Sequence, residues 1–333
     1  MRVAVVSHDA GASERIVDIL ARQPARVAGG HRCFYREGSP FAGLLRTEKR
    51  IAKECAKNAI DKNWRNDLSR YGPDLVVVGT GWQNRWHREA IQWAKERGLP
   101  TIAVMDHWSA YRERFGFPEK SWRKNLPEVV IVQDRFAYRI ACELLAPSRV
   151  RWIEDYTFEK IVHAYRKALS EKSEKNRLLF LSEPTAEVAR VRFGNAWYWG
   201  FDEMTVFREV LAFAGRLGLE PVVRLHPSDR PLRYREMDGN IQFSEGSLVE
   251  DLAEAAMVVG IDTVALYHAW RLGKRVVAFI PGNGRDWTIP LPQSCKTRSL
   301  VRYEPESDSL PQPIETGKGN ATYPGILKEL GVA

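Results

Sequence analysis

The chain has few cysteines and lacks the short motifs of the common metal and nucleotide enzymes. Its four cysteines lie far apart and form no C-x-x-C pair: Cys33, Cys55, Cys142 and Cys295. This spacing argues against zinc or a disulfide framework and favours a reducing compartment. The chain has no H-E-x-x-H, G-x-S-x-G, Walker lysine or G-x-G-x-x-G motif, and no D-x-D near a strand end. The motifs therefore imply neither a metal nor a cofactor.

Long apolar runs and a surplus of acidic residues are also missing. No run approaches the roughly 18 apolar residues of a membrane span, and no signal-peptide pattern precedes the first strand. We expect a cytoplasmic protein, with peripheral association at the inner face of a membrane left open. Lysine and arginine total 50 against 42 acidic residues, a formal net charge of +8. Such a charge attracts phosphorylated substrates, acidic membranes or nucleic acid, but the basic residues are scattered, which argues against nucleic acid.

The length and the order of predicted elements indicate two domains. A chain of 333 residues is longer than one hydrophobic core usually supports. Hydrophobic strands alternate with amphipathic helices in both halves, which predicts parallel sheets covered by helices. We predict an α/β protein with two Rossmann-like domains facing across a cleft. The N-terminal, acceptor-side domain spans residues 1–156, a helical linker 157–176, and the C-terminal, phosphate-binding domain 177–333.

The individual elements follow from hydrophobic periodicity and from proline and glycine punctuation. In the first half we predict strands at 2–6, 73–79, 99–105 and 128–132, and helices at 14–22, 85–97 and 134–145. Residues 41–69 look helical and polar. In the second half we predict strands at 178–181, 221–225, 275–281 and from 258, and helices at 203–217, 248–256 and 264–272.

A His-Pro pair ends one strand of the second half. Pro227 cannot continue a ladder, so the strand stops and leaves His226 at the carboxyl edge of the sheet. A protonated imidazole there would donate to a donor phosphate or stabilise a leaving group, whereas the plainer alternative is a structural histidine. We also place Arg224 among the phosphate-binding residues, although strand alternation points its side chain to the other face and favours a structural role.

A second strand of that half runs into small and hydroxyl residues before a helix. Gly260, Asp262, Thr263 and Val264 would seat a phosphate on the free N–H groups of the helix start, with Thr263 as hydroxyl donor. An ordinary N-cap at Asp262 or Thr263 is the alternative. Glu183, after an earlier strand, would hold a ribose or base.

Carboxylates also follow strands of the first half. Asp9 comes after strand one, in a loop with Gly11 that lets an anion or substrate approach, and would act as general base toward an acceptor hydroxyl. A simple N-cap or Asx turn is the alternative. Thr80, Asp106 and His107 end other strands and would line the acceptor side. Because adjacent residues of an extended chain point to opposite faces, a dyad of Asp106 and His107 is not expected.

The R-L-H-P strand end at 224–227 and the G-I-D-T-V-A-L-Y-H-A-W-R-L-G-K-R-V-V run at 260–277 resemble GT-B-fold glycosyltransferases of bacterial capsule and surface polysaccharide assembly. The nearest in pattern are sialyl-, polysialyl- and Kdo-transferases and CDP-glycerol-type polyol phosphotransferases. The resemblance covers the second half best. It implies that His226 and Thr263 contact the donor phosphate and that Asp9 is the base. Asp262-Thr263 stands where the family usually has paired serines.

We therefore expect a metal-independent, inverting glycosyltransferase with Asp9 and His226 as catalytic residues. Its partners would be a phosphorylated sugar donor, either a nucleotide sugar or phosphoribosyl diphosphate, and a glycan or lipid-linked oligosaccharide acceptor. Phosphoribosyl or polyol-phosphate transfer is the closest variant. A UDP-sugar 2-epimerase is a second enzymatic alternative, and a non-enzymatic module binding anionic ligands is a third.

Overall fold

The computed structural model describes residues 1–23, 30–48, 51, 56–60, 63–81, 85–229, 231–237, 241–304 and 318–332 of the 333-residue chain. The chain divides into two compact units. Unit 1 comprises Met1–Thr157 with Thr316–Ala333, and unit 2 comprises Phe158–Glu315. Each unit holds one sheet of parallel strands with helices between most of them. The predicted α/β class with two Rossmann-like domains is confirmed.

Unit 1 contains seven strands and six described helices. The strands are β1 (Val3–Val6), β2 (His31–Tyr35), β3 (Ala56–Ala59), β4 (Leu75–Gly79), β5 (Thr101–Val104), β6 (Val129–Val132) and β7 (Val150–Trp152). The helices are α1 (Ala10–Ala21), α2 (Pro40–Thr47), α3 (Trp64–Tyr71), α4 (Trp86–Lys95), α5 (Arg135–Leu144) and, near the end of the chain, α12 (Tyr323–Glu329). The strands lie in the order β3-β2-β1-β4-β5-β6-β7.

Unit 2 contains six strands and six helices among its described residues. The strands are β8 (Lys175–Leu181), β9 (Glu220–Arg224), β10 (Gln242–Phe243), β11 (Ala255–Gly260), β12 (Val276–Phe279) and β13 (Lys296–Thr297). The helices are α6 (Tyr156–Glu171), α7 (Thr185–Phe193), α8 (Glu203–Leu217), α9 (Pro231–Arg235), α10 (Leu248–Glu254) and α11 (Val264–Arg271). The strand order β10-β9-β8-β11-β12-β13 repeats the doubly wound order of the first six strands of unit 1.

The central strands are short apolar runs because helices cover both faces of each sheet. Every residue of β1, β4 and β6 is buried, as expected for parallel strands without a solvent face. Residues at the helix ends form the caps that their side chains favour. Asp202 accepts the Thr205 N–H at 2.7 Å to begin α8, and Gly218, at φ +67°, ends it. Local signals and packing thus agree on the element boundaries.

The polar stretch 41–69 differs from the prediction of a continuous helix. It contains α2, then β3, then α3, and part of it lies outside the described residues. Strand β3 pairs in parallel with β2 at the edge of the sheet. An edge strand needs no continuous apolar run, so its four residues gave no strand pattern in the sequence.

The end of the chain packs with unit 1 rather than with the rest of the second half. Tyr323, Ile326 and Leu327 are buried in the cluster that contains Val3 and Ile16. The Tyr323 hydroxyl also lies 3.2 Å from Nε2 of His31. The structure therefore differs from the predicted domain of residues 177–333, because the apolar face of α12 completes the core of unit 1. Helix α6, predicted as a linker, belongs to unit 2.

Candidate functional site

Each unit has a switch point where its strand order reverses. In unit 1 it lies between β1 and β4, and in unit 2 between β8 and β11. Helices leave a parallel sheet in opposite directions at such a point, which opens a crevice beyond the carboxyl ends of the two strands. The predicted site residues Asp9, Asp262 and Thr263 all follow one of these four strands.

Asp9 lies at the N-cap position of α1, but its side chain makes no capping hydrogen bond. Its carboxylate instead lies against Gly81, just beyond β4, where an added Cβ would collide with the carboxylate. Asp9 is half-buried. The position of Asp9 is therefore that of an N-cap, while its carboxylate points toward the crevice edge formed by β1 and β4.

Asp106 follows β5 and is held by a buried arginine. Nη1 of Arg114 donates to Oδ1 of Asp106 at 2.7 Å and also to the carbonyl and hydroxyl of Thr80 at 3.2 Å. The Asp106 carboxylate also packs on Gly11, where a Cβ would clash with it. These four residues form one connected group at the carboxyl edge of the sheet.

Thr80 and His107 have different surroundings within that edge. Thr80 is fully buried, and its hydroxyl donates to the Val104 carbonyl at 3.0 Å, which favours a structural role. Nδ1 of His107 lies 3.0 Å from the Ser109 hydroxyl, whereas Asp106 is paired with Arg114. The expectation that Asp106 and His107 form no dyad stays a prediction.

In unit 2, His226 begins a tight turn after β9. Its backbone N–H donates to the Ser182 hydroxyl at 2.8 Å, and Nδ1 accepts the Ser228 backbone N–H at 3.1 Å. An Nδ1 that accepts carries no proton, so the neutral ring has its proton on Nε2. Desolvation lowers the pKa of His226, while Glu183 and Asp229 oppose that shift. The imidazolium expected from sequence is therefore replaced by a neutral Nε2–H donor.

The start of α11 has the features of an anion seat. Thr263 is its N-cap, and the Thr263 side chain accepts the Ala265 N–H at 3.4 Å. The preceding Gly260 ends β11 with only ordinary contacts around an added Cβ. Val264 and Ala265 are partly exposed, and the first N–H groups of a helix have no partner within the helix. Both the N-cap alternative and a phosphate seat fit this geometry.

Asp262 is directed inward, away from the helix start. Its carboxylate accepts the backbone N–H groups of Thr288 at 2.8 Å and Ile289 at 3.1 Å, and the Thr288 hydroxyl at 2.7 Å. Burial, together with the charge of Glu183, raises the pKa of Asp262 to about 6. These contacts favour a role in which Asp262 ties the loop after β12 to the end of β11.

Arg285, which the sequence patterns did not single out, joins the two carboxylates of this edge. Its Nη2 donates to Glu183 at 2.7 Å and lies 3.4 Å from Asp262, and its guanidinium lies over the Trp199 ring, 4.8 Å from the centroid. The second Glu183 oxygen accepts the Asp262 N–H at 3.0 Å. The loop that carries Arg285 has no periodic sequence pattern. The sequence signal for Arg285 was therefore the position of its loop, directly after a buried strand.

Arg224 is the last residue of β9 and has hydrogen-bond and ion-pair partners within unit 2. It pairs with Asp251 at 2.6 Å and donates to the Gly246 carbonyl at 2.8 Å. These partners favour the structural alternative for Arg224. Among the described residues, no group of three or more histidine, cysteine or acidic side chains could hold a metal ion.

No protein-family model matches the sequence, and a search of curated proteins finds no match either. Solved structures do match. The UDP-GlcNAc 2-epimerase from Neisseria meningitidis bound to UDP-GlcNAc is 11% identical, with a TM-score of 0.53 over 84% of this chain and 82% of that one. HepE from Anabaena with UDP-glucose is 9% identical, with a TM-score of 0.51 over 84% and 80%. S. aureus MnaA with UDP is 12% identical, with a TM-score of 0.54 over 84% and 79%. The likeness shows that this chain has the two-domain, GT-B-like α/β fold.

Proposed function

We propose that the protein is an enzyme of nucleotide-sugar chemistry, and specifically an inverting glycosyltransferase. The observation that carries the proposal is the edge of unit 2, where β8 and β11 diverge. His226, with its proton fixed on Nε2, and the helix start at Thr263 both follow strands of this sheet. A neutral N–H donor and the N-terminal end of a helix are suited to a diphosphate leaving group.

In this proposal, unit 2 binds the donor. The N–H group of Val264 and the Thr263 hydroxyl would contact a phosphate, and His226 would donate a hydrogen bond to the departing oxygen. Glu183 and Arg285 form a fixed pair beside this seat, where a ribose or base would lie. Asp262 holds the loop that carries Arg285 and needs no direct contact with the donor.

Unit 1 would supply the base and bind the acceptor. Asp9 has a half-buried carboxylate that follows β1 at a switch point, and a carboxylate there would take the proton of an acceptor hydroxyl. Asp106, oriented by Arg114, would bind acceptor hydroxyl groups. The resemblance to enzymes of capsule and surface polysaccharide assembly supports a glycan or lipid-linked oligosaccharide as the acceptor.

A ligand screen tests the donor half of the proposal. We expect one nucleotide among CMP, UDP, CDP and GDP to raise the melting temperature, because a ligand that binds only the folded state stabilises it by mass action. Phosphoribosyl diphosphate and CDP-glycerol serve as probes for the phosphoribosyl and polyol-phosphate variants. The variant Thr263→Val should lose most of the shift. No shift with any of these compounds would contradict the proposal.

A UDP-sugar 2-epimerase is the second candidate, because similar structures include UDP-GlcNAc 2-epimerases. An epimerase requires no acceptor. Incubation with UDP-GlcNAc alone, followed by NMR of the sugar, separates the two activities. Appearance of the 2-epimer would favour the epimerase, whereas an unchanged sugar that turns over only when an acceptor is added would favour the transferase.

A further inference from the structure

Unit 2 carries a concentrated patch of exposed apolar side chains outside the candidate site. Three aromatic residues at the end of α7 and just after it form this patch, and their exposed fractions are large: Phe193 42%, Trp197 55% and Tyr198 52%. Phe193 and Tyr198 stack with ring centroids 3.8 Å apart. Apolar side chains clustered on a surface generally mark an interaction site. We call these three residues the aromatic patch.

The aromatic patch stands on a segment that gives little to the core. Helix α7 buries only Thr185 and Ala189. The segment is anchored at its start, where Glu203 accepts the Ala186 N–H at 3.0 Å, and near its end, where Trp199 lies under Arg285. The patch therefore lies on a segment anchored at both ends, and its side chains keep a large part of their apolar surface exposed.

The charged residues within the segment that carries the patch are two arginines. The fourteen residues from Val188 to Phe201 include Arg190 and Arg192 and no acidic residue. The Arg192 guanidinium lies over the Phe193 ring, 5.7 Å from its centroid, while Arg190 pairs with Glu187 one turn earlier. The whole chain carries a formal net charge of +8. A partner that fits must accept apolar side chains and carry negative charge.

We propose that the aromatic patch binds the surface of an anionic phospholipid bilayer. Tryptophan and tyrosine prefer the boundary between headgroups and acyl chains, where an apolar ring and a polar tip are both satisfied. Arginine beside them pairs with lipid phosphate, and the net charge draws the protein to the membrane. None of the described helices is long and apolar enough to cross a membrane, so binding would be peripheral. This inference does not depend on the proposed function.

The charge complementarity favours a bilayer over a second copy of the chain. A second copy of the chain would also carry a net charge of +8, and two such copies repel each other. An anionic lipid surface instead attracts this charge.

Flotation with vesicles tests the proposal on the full chain. Phosphatidylcholine vesicles, with and without phosphatidylglycerol, are mixed with the wild type and with the double variant Trp197→Ser/Tyr198→Ser. We expect the wild type to float with the anionic vesicles, and the double variant to bind at least about tenfold more weakly because two inserted rings are lost. Added salt should weaken binding, since the attraction is partly electrostatic.

Two controls separate the patch from general effects. Phe136→Ser/Val301→Ser removes exposed apolar side chains elsewhere and should leave vesicle binding unchanged. Arg190→Gln/Arg192→Gln should weaken anionic binding severalfold, whereas the surface pair Arg135→Gln/Arg139→Gln should change it little. Circular dichroism melting shows that each variant is folded.

Three results would overturn the proposal. The first is a wild-type protein that does not float with either kind of vesicle. The second is equal binding by the wild type and the folded Trp197→Ser/Tyr198→Ser variant. The third is a lipid-free dimer in analytical ultracentrifugation that the same variant dissociates, which would assign the aromatic patch to self-association.

Discussion

The backbone N–H of Ser228 donates to Nδ1 of His226 at 3.1 Å and thereby fixes which ring nitrogen carries the proton. In many catalytic sites a second residue sets the tautomer and the orientation of a histidine ring. In this protein the backbone of the turn does so. The proposed function depends on this relationship, because an Nε2–H donor is what a leaving phosphate would meet.

His226→Ala should lower kcat by about two to three orders of magnitude, the usual effect of losing one donor to developing negative charge. His226→Asn tests the role of the turn, because its side-chain amide can accept the Ser228 N–H but cannot reach as far as Nε2. We expect both variants to be impaired similarly. Steady-state kinetics with the donor found by the ligand screen give the comparison, and wild-type kcat in either variant would exclude His226 from the reaction.

Asp9→Asn should abolish turnover and leave donor binding unchanged, because the amide retains the shape of the carboxylate but cannot accept a proton. Isothermal titration with the donor nucleotide and an acceptor-dependent assay measure the two properties separately. Loss of both together would indicate a folding defect rather than loss of a base. Full activity would remove Asp9 from the mechanism.

Gly81→Ala should impair the reaction through Asp9, since the added methyl group would collide with the Asp9 carboxylate. We expect kcat to fall by about tenfold or more, because small misplacements of a catalytic group are costly. Gly43→Ala is the matched control, since nothing lies near a Cβ at that helical position, and it should be neutral or stabilising by up to about 1 kcal/mol. Equal kcat values for the two variants would contradict the role assigned to the Asp9 position.

Asp262→Ala should destabilise unit 2 by about 3 kcal/mol, because it leaves the buried N–H groups of Thr288 and Ile289 without an acceptor. Asp286→Ala, in the same loop, should cost less than about 0.5 kcal/mol. The two carboxylates differ in exposure: the Asp262 side chain is 1% exposed and the Asp286 side chain 96%. Urea unfolding monitors both variants. A similar cost for the two would show that Asp262 does not hold the loop.

His87 should make the stability of unit 1 depend on pH. Burial lowers its pKa to about 4, and the charges of Arg88 and Arg114 contribute to the decrease. Nε2 lies 2.6 Å from the Arg114 carbonyl oxygen, which identifies the neutral ring as the donor. The unfolded chain then binds a proton at higher pH than the folded one. Stability should therefore be complete above about pH 6.5 and fall by about 3 kcal/mol toward pH 4.

The variant His87→Gln measures this contribution, because glutamine donates a hydrogen bond but does not titrate. The difference in unfolding free energy between wild type and variant should shrink or change sign as the pH falls from 7 to 4. A difference that stays constant over this range would mean that His87 does not titrate as its burial implies.

The sequence predicted most central strands and their helices within a few residues. Strand β4 and helix α8 have strong periodic patterns, because buried parallel strands and amphipathic helices need them. It missed the inner strand β2 and the edge strands β3, β7, β10 and β13. These edge strands are short or polar and are defined by pairing rather than by burial. It also missed α7, because a helix with two buried residues has almost no apolar face.

The sequence by itself determined that the chain is α/β, that it has two parts, and that His226 and Thr263 follow strands. Each of these conclusions depends on local chemistry: apolar runs, prolines that end strands, and capping residues. Only the tertiary structure decided that the end of the chain completes the core of unit 1, that Arg285 joins Glu183 to Asp262, and that the Ser228 N–H sets the His226 tautomer. Contacts between residues distant in sequence depend on packing and on side-chain geometry, and no local pattern encodes them.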